Sequence, residues 1–405
     1  MGFLYFFVGV VLSQKLNILG EFYFGEVVCA AFLLFNLKSF RLWGGGKGLI
    51  VLLVFWFSAQ LISDIYNQVP IEKSIKGVLV PFIVGVVLTA HHTYFSSRSR
   101  HLPLYLMGLL VGFFISRMFI GNERHLDNPW KWGMGLSFLL CFFVWIEFYC
   151  KRGGKYLLVI FSALFTLVSL SYSSRSLPMF FVGATTISCF SKQIQNSRVY
   201  NFFSDSLVGF MLFICFFILV LFTLDFMMAS LFSFGSFMQW LPEEDALKYS
   251  VQAGGKWGFL LGGRSELLVS LEAFFDRPML GHGSWPESMY YSYQYLDLRD
   301  MAGSSESTFE VAEHNLSSFL IPTHSYLMGA LVWGGIFAGL FWLRILLMLF
   351  SSFLKVRVIS SPLLVLLAIY LIWSILFSPF GADARWLSSV LLWFFIYLVA
   401  MYENR

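Results

Sequence analysis

Charge is what this chain has least of. Asp, Glu, Lys and Arg make up 12% of its 405 residues, about half of the roughly 25% typical of soluble globular chains. With 58% hydrophobic residues, 48 Phe and a mean hydropathy of +0.74, a soluble fold is excluded: one core could not bury so much apolar surface, and most of it must face lipid. Cysteines at ligand spacing are also missing. Cys29, Cys141, Cys150, Cys189 and Cys215 lie in or at the ends of apolar runs, so neither a disulfide framework nor a zinc site is expected. No phosphate-loop, His-Glu-x-x-His or Gly-x-Ser-x-Gly pattern is present. Gly44-Gly45-Gly46-Lys47 reads as a flexible basic turn, and His91-His92 has no Cys or carboxylate nearby to complete a metal site. The formal charge of +4 is spread over short loops, which argues against nucleic acid as a partner. Residues 1–13 lack the basic n-region and small-residue cleavage site of a signal peptide, and read as a retained membrane segment.

What is present is a series of apolar runs of membrane-spanning length. They predict an all-α polytopic membrane protein with about twelve transmembrane helices, over residues 2–13, 22–37, 48–66, 74–95, 102–120, 130–149, 156–172, 175–191, 207–228, 324–350, 360–380 and 386–402. The first is short, since a dozen residues rise only about 18 Å. The chain divides into residues 1–233 with nine helices, a large periplasmic loop over 234–323, and residues 324–405 with three more. Basic residues should gather in every second short loop, and they do: Lys38, Arg41 and Lys47, then Arg98 and Arg100, Lys151, Arg152 and Lys155, Lys192 and Arg198, Lys355 and Arg357. Both termini are therefore expected in the cytoplasm. The long loop falls on the outer side and is rich in Ser, Gly, Tyr and acids. Within it, apolar residues from Arg264 to Phe275 recur near helical spacing until Pro278, Gly281 and Gly283, which predicts a short amphipathic helix at the membrane surface.

Ionisable groups at membrane depth need a partner, an escape to water or a role. Arg117, Arg175, Arg264, Arg385 and His324 all map to the outer side. Each has a local reading: Arg117 pairs with Asp64, Arg385 caps its turn against Asp383, Arg175 snorkels to headgroups, and His324 is a structural residue at a helix start. Arg344, near the cytoplasmic end of its span, snorkels inward. Taken together, the residues suggest something else. Several guanidinium forks match the oxygens of a diphosphate, and a neutral imidazole beside it takes a proton from a hydroxyl near pH 7. That constellation points to group transfer from a lipid diphosphate.

Three motifs carry a family resemblance. Ser174-Arg175-Ser176 follows a span. Gly263-Arg264 opens the loop helix, which ends in Asp276-Arg277-Pro278-Met279-Leu280-Gly281-His282-Gly283. His324-Ser325 precedes Gly335 and Gly339 in the next span. In order and placement these resemble the O-antigen ligase and O-antigen polymerase superfamily of bacterial envelope glycosyltransferases. The motifs lie in the second half of the chain; the first third matches none.

The resemblance implies a metal-independent GT-C enzyme of the bacterial inner membrane, without cofactor, whose active site faces the periplasm. Its donor would be a glycan on undecaprenyl diphosphate, transferred with inversion. Arg175 and Arg264 would hold the diphosphate and His324 would orient or deprotonate the acceptor hydroxyl. Arg385 and Arg117 are added as diphosphate ligands from topology alone, and His282 and His314 are rivals of His324. A polymerase uses a second lipid-linked glycan as acceptor, a ligase uses lipid A-core, and the motifs do not separate them; polymerase is the favoured expectation, with a chain-length regulator as a further partner. Tyr290, Tyr291, Tyr293 and Tyr295 with the loop carboxylates suit a sugar-binding groove. The rival from another class is a flippase for the same lipid-linked glycan, for which two related halves around a midplane site would be expected.

Overall fold

A backbone in hydrocarbon must satisfy its own N–H and C=O groups, so apolar runs of this length fold as helices. The computed structural model describes residues 2–17, 20–36, 46–96, 98–120, 128–150, 154–172, 174, 176–233, 264–301 and 319–403. The first half runs α1 (Gly2–Leu12), β1 (Lys15–Asn17), β2 (Glu21–Tyr23), α2 (Phe24–Phe35), α3 (Gly46–Tyr66), α4 (Ile71–Phe95), α5 (Leu102–Ile120), α6 (Gly135–Tyr149), α7 (Gly154–Ser171) and α8 (Ser176–Cys189). Two short helices, α9 (Ser191–Gln195) and α10 (Arg198–Asp205), lead to α11 (Leu207–Ser233). The loop contributes α12 (Ser265–Asp276) and α13 (Met289–Met301); α14 (Tyr326–Ser352), α15 (Val356–Ile359), α16 (Pro362–Phe377) and α17 (Ala382–Glu403) complete the chain.

Each of the apolar runs expected to be helical coincides with a helix. Among the described residues six helical stretches are long and apolar enough to cross a membrane: Gly48–Tyr66, Ile71–Phe95, Ser99–Ile120, Trp130–Tyr149, Tyr326–Ser352 and Ala382–Glu403. Shorter apolar helices, such as Gly2–Leu12 and Pro362–Phe377, pack among them. This is an all-α, multi-pass membrane protein. One small departure is the antiparallel β1–β2 hairpin, with Lys15 opposite Tyr23, where no strand is expected from the sequence.

Contacts between distant segments sort the connections into two ends. At one end, the Tyr23 hydroxyl of β2 donates to Asp383 at 2.8 Å and the Ser116 hydroxyl of α5 accepts from the Lys15 N–H at 2.9 Å. At the other, Gln195 donates to the Ser360 hydroxyl at 2.9 Å and Tyr402 to Glu147 at 2.6 Å. The loops carrying Lys192, Arg198, Lys355 and Arg357 fall at this second end. Between the two ends the core is apolar and aromatic, and α17 is the most enclosed of the six membrane-length stretches, with Trp386, Val390, Phe394 and Phe395 at 0% exposure.

The tenth apolar run is not one continuous helix. Gly335 interrupts α14 with φ 71° and ψ −167°, a conformation open to glycine alone. Gly335 therefore does more than ease helix packing. The segment after α12 occupies the break: the His282 N–H donates to the Val332 carbonyl at 2.7 Å, the Gly283 N–H to Trp333 at 3.0 Å, and the Ile336 N–H to Pro278 at 2.8 Å. The backbone groups released by the break are thus satisfied by a neighbouring segment, as the interior of a membrane protein requires. A Cβ on Gly335 would lie 2.3 Å from the Met279 carbonyl oxygen, and one on Gly281 2.6 Å from that of Trp333. Only glycine admits this approach.

The amphipathic helix expected after Arg264 is α12. Its enclosed face is made of small residues, Ser265, Val269, Ser270 and Ala273, which lets it lie close to α14. The larger apolar side chains Leu271 and Phe275 remain exposed at 41% and 67%.

Candidate functional site

The docked segment is held by one face of α3. Gln60, Ser63 and Asp64 of α3 and Asn67 just past its end stand at i, i+3, i+4 and i+7, so they form a single polar stripe. Gln60 donates to the Ser284 hydroxyl at 2.9 Å, and Ser63 to the Trp333 carbonyl at the α14 break at 2.7 Å. Asp64, buried to 2% exposure, accepts from the Ser284 N–H at 2.6 Å and its hydroxyl at 2.8 Å. Asn67 donates to the Gly281 carbonyl at 3.3 Å and accepts from Arg277. A buried carboxylate is tolerable only when fully hydrogen-bonded, and here those bonds fix the loop to the membrane bundle.

Arg264 and His324 converge on the loop-side end of α16. The Arg264 guanidinium lies 5.9 Å from the centroid of the Trp373 ring. His324 is exposed and directly precedes Ser325, whose hydroxyl caps α14 by accepting from the Met328 N–H at 3.1 Å and donates to the Ile375 carbonyl at 2.7 Å. Ile375 is two residues beyond Trp373 in α16. A second tie joins the two sites, because the Ser270 hydroxyl of α12 donates to the Pro322 carbonyl at 2.8 Å, just before His324. Among the described residues no acceptor lies within hydrogen-bonding distance of the Arg264 guanidinium. Burial pushes its pKa down from the ordinary arginine value, with Glu266 pulling the other way. Its charge persists, since the ordinary value is far above neutrality. A guanidinium can bind an anion through charge-assisted hydrogen bonds.

Arg175 and His314 lie outside the described residues. Ser176 opens α8, and the Phe180 ring one turn later is 5.7 Å from that of Trp373. The start of α8 therefore approaches the same end of α16 as Arg264.

Arg117 and Arg385 do not present open forks. Arg117 pairs with Asp383 at 3.1 Å rather than with Asp64, whose oxygens serve Ser284. Arg385 pairs with Glu26 rather than with Asp383, through Nε at 2.7 Å and Nη2 at 2.8 Å, and its Nη2 also donates to the Glu21 carbonyl at 3.0 Å. It sits in the first turn of α17, which begins at Ala382, and is 9% exposed. Lys15, Arg117 and Arg385 face Glu21, Glu26 and Asp383 in one charge-balanced cluster that ties the β1–β2 hairpin to α5 and α17. In this arrangement the charges of the two arginines expected as diphosphate ligands are matched by the carboxylates of Asp383 and Glu26.

His282 lines a cleft of about 600 Å³ between the α3–α4 turn and the loop. Its Nε2 meets the Ala273 carbonyl at 2.7 Å. A carbonyl only accepts, so Nε2 is protonated and donates. Burial lowers its pKa, and Arg277 adds to that, while the Ala273 carbonyl and Asp276 oppose. Across the cleft Lys73 pairs with Glu287, and Tyr291 donates to Asp276. Among the described residues no group of three His, Cys, Asp or Glu side chains is arranged to hold a metal.

No protein-family model, curated protein or solved structure matches this chain. Sequence reasoning missed the α3 stripe and the cleft beside it. The signal was available, since four polar side chains on one helical face within an apolar run seldom stand without a partner.

Proposed function

We propose that this chain is a glycosyltransferase of the O-antigen polymerase type that joins glycan repeat units carried on undecaprenyl diphosphate. It would cross the bacterial inner membrane about twelve times, with both termini in the cytoplasm and the Arg264 end of the bundle facing the periplasm. The sorting of connections into a basic end and a loop-bearing end supports that orientation.

The observation that carries the reading is the contrast between arginines. Arg117 and Arg385 are paired with carboxylates, whereas Arg264, held beside Trp373, has no acceptor among the described residues. In the reaction the acceptor hydroxyl oxygen bonds to the anomeric carbon as the bond from that carbon to the diphosphate breaks, with inversion. The electron pair leaves on undecaprenyl diphosphate and the hydroxyl proton passes to His324. Arg264, with Arg175, stabilises the charge growing on the leaving group, an effect worth most in a site with little water.

The test is reconstitution with the host's undecaprenyl-diphosphate-linked repeat as the only sugar substrate, followed by gel analysis of glycan length. A ladder supports the polymerase. Transfer only after lipid A-core is added identifies a ligase using the same site. Absence of both, with the lipid-linked glycan moved across the bilayer, makes the protein a flippase and refutes transfer.

A further inference from the structure

The cleft beside the α3 stripe has no part in the chemistry above, yet it has the features of a built site. Its volume of about 600 Å³ lies within the range of small-molecule sites. Its charges cancel: Lys73 and Arg277 stand against Asp276 and Glu287, and burial and the nearby Arg277 push His282 towards its neutral form. An anion site would carry a positive excess, so the balance selects a neutral ligand. The same groups supply donors and acceptors side by side, which suits vicinal hydroxyls.

Aromatic faces complete the lining. Trp285 is 38% exposed and braced by the Trp333 ring at 4.8 Å; Tyr290 is 61% exposed. A braced, half-exposed ring offers an apolar platform to the C–H face of a sugar, with polar groups beside it for the hydroxyls. The backbone is also strained here. Gln68 and Trp285, at φ 51° and 55°, are two of the three non-glycine residues with positive φ among those described, and both line the cleft. Strain of this kind persists where surrounding contacts enforce it, and it clusters at binding sites.

We propose that this cleft is a saccharide subsite that holds uncharged sugar units of the glycan away from its diphosphate end. Arg264 and Asp276 stand at opposite ends of the twelve-residue helix α12, so the two sites are about 18 Å apart along it. That is the extended length of several sugar rings. The identity of the glycan rests on the transferase reading, whereas sugar binding in the cleft does not.

The experiment uses the full chain in lipid nanodiscs and calorimetric titration. Its probe is the oligosaccharide repeat released from the host's lipid-linked glycan, stripped of lipid and phosphate. Binding is expected to weaken at least tenfold in Trp285→Gly, which removes the ring where glycine accepts the backbone, and in Glu287→Gln. It should stay within twofold of wild type in Arg264→Ala and in the presence of inorganic pyrophosphate. If Trp285→Gly fails to fold, Glu287→Gln and the exposed Tyr290→Ala decide the matter. No binding to the wild type, equal binding in these variants, or displacement by pyrophosphate overturns the proposal. Binding in the cleft without transfer activity refutes only the transferase, and transfer without cleft binding refutes only the subsite.

Discussion

Ser284 gives both of its donors to Asp64, the backbone N–H at 2.6 Å and the hydroxyl at 2.8 Å, and so joins the long loop to the last turn of α3. Removing the carboxylate leaves two buried donors unsatisfied. Asp64→Ala is expected to cost about 3 kcal/mol of stability, and Asp64→Asn less, since one oxygen acceptor survives. Thermal unfolding of the detergent-solubilised protein reads both. In a double-mutant cycle with Ser284→Ala the coupling should be about 1 kcal/mol or more.

Gly335 tests the docking of the loop into the broken helix. Alanine there combines a forbidden backbone angle with a Cβ 2.3 Å from the Met279 carbonyl oxygen. Gly335→Ala should lower the unfolding temperature sharply and expose the 278–283 segment to protease. Gly48, in α3, has nothing within 4 Å of an added Cβ; Gly48→Ala should be neutral or stabilise by up to about 1 kcal/mol.

Arg385 and Glu26 test structure against ligand binding. Breaking the buried pair in Glu26→Leu should cost about 4 kcal/mol, because it strands a guanidinium at 9% exposure. The double variant Glu26→Leu, Arg385→Met should recover most of that stability. It should also retain glycan transfer, whereas a diphosphate ligand at Arg385 would leave it folded and inactive.

His282 gives a pH dependence of definite sign. Its pKa is lowered in the folded protein, so below about pH 6.5 the unfolded chain binds a proton that the folded chain refuses. Stability should therefore fall as pH drops from about 6.5 towards the folded value, with a slope of at most about 1.4 kcal/mol per pH unit from this one group. In His282→Gln that part of the slope should vanish while the donor to Ala273 is kept. Unfolding curves recorded between pH 5 and pH 8 check it.

The helices were legible because hydrocarbon length and apolar content are properties of single segments. The loop helix α12 was legible for a similar reason, its apolar spacing running to Pro278. Ion pairing was not, because the partners are far apart in sequence: Asp383 lies 266 positions from Arg117, and Glu26 lies 359 from Arg385. The acids Asp64 and Asp383, closer at hand by topology or sequence, are engaged elsewhere. The break at Gly335 was hidden because glycine in a membrane helix usually serves packing, and only the segment that fills the break distinguishes the two.

The most direct test of the central claim is the release of undecaprenyl diphosphate, measured against glycosidic bonds formed, in wild type, Arg264→Lys and His324→Ala. The wild type should release one carrier per bond formed. Arg264→Lys should turn over about a hundredfold more slowly despite its retained charge, since lysine cannot form the bidentate fork, and His324→Ala should be slowed at least as much, with both variants folded. Near-normal release by Arg264→Lys would contradict the account.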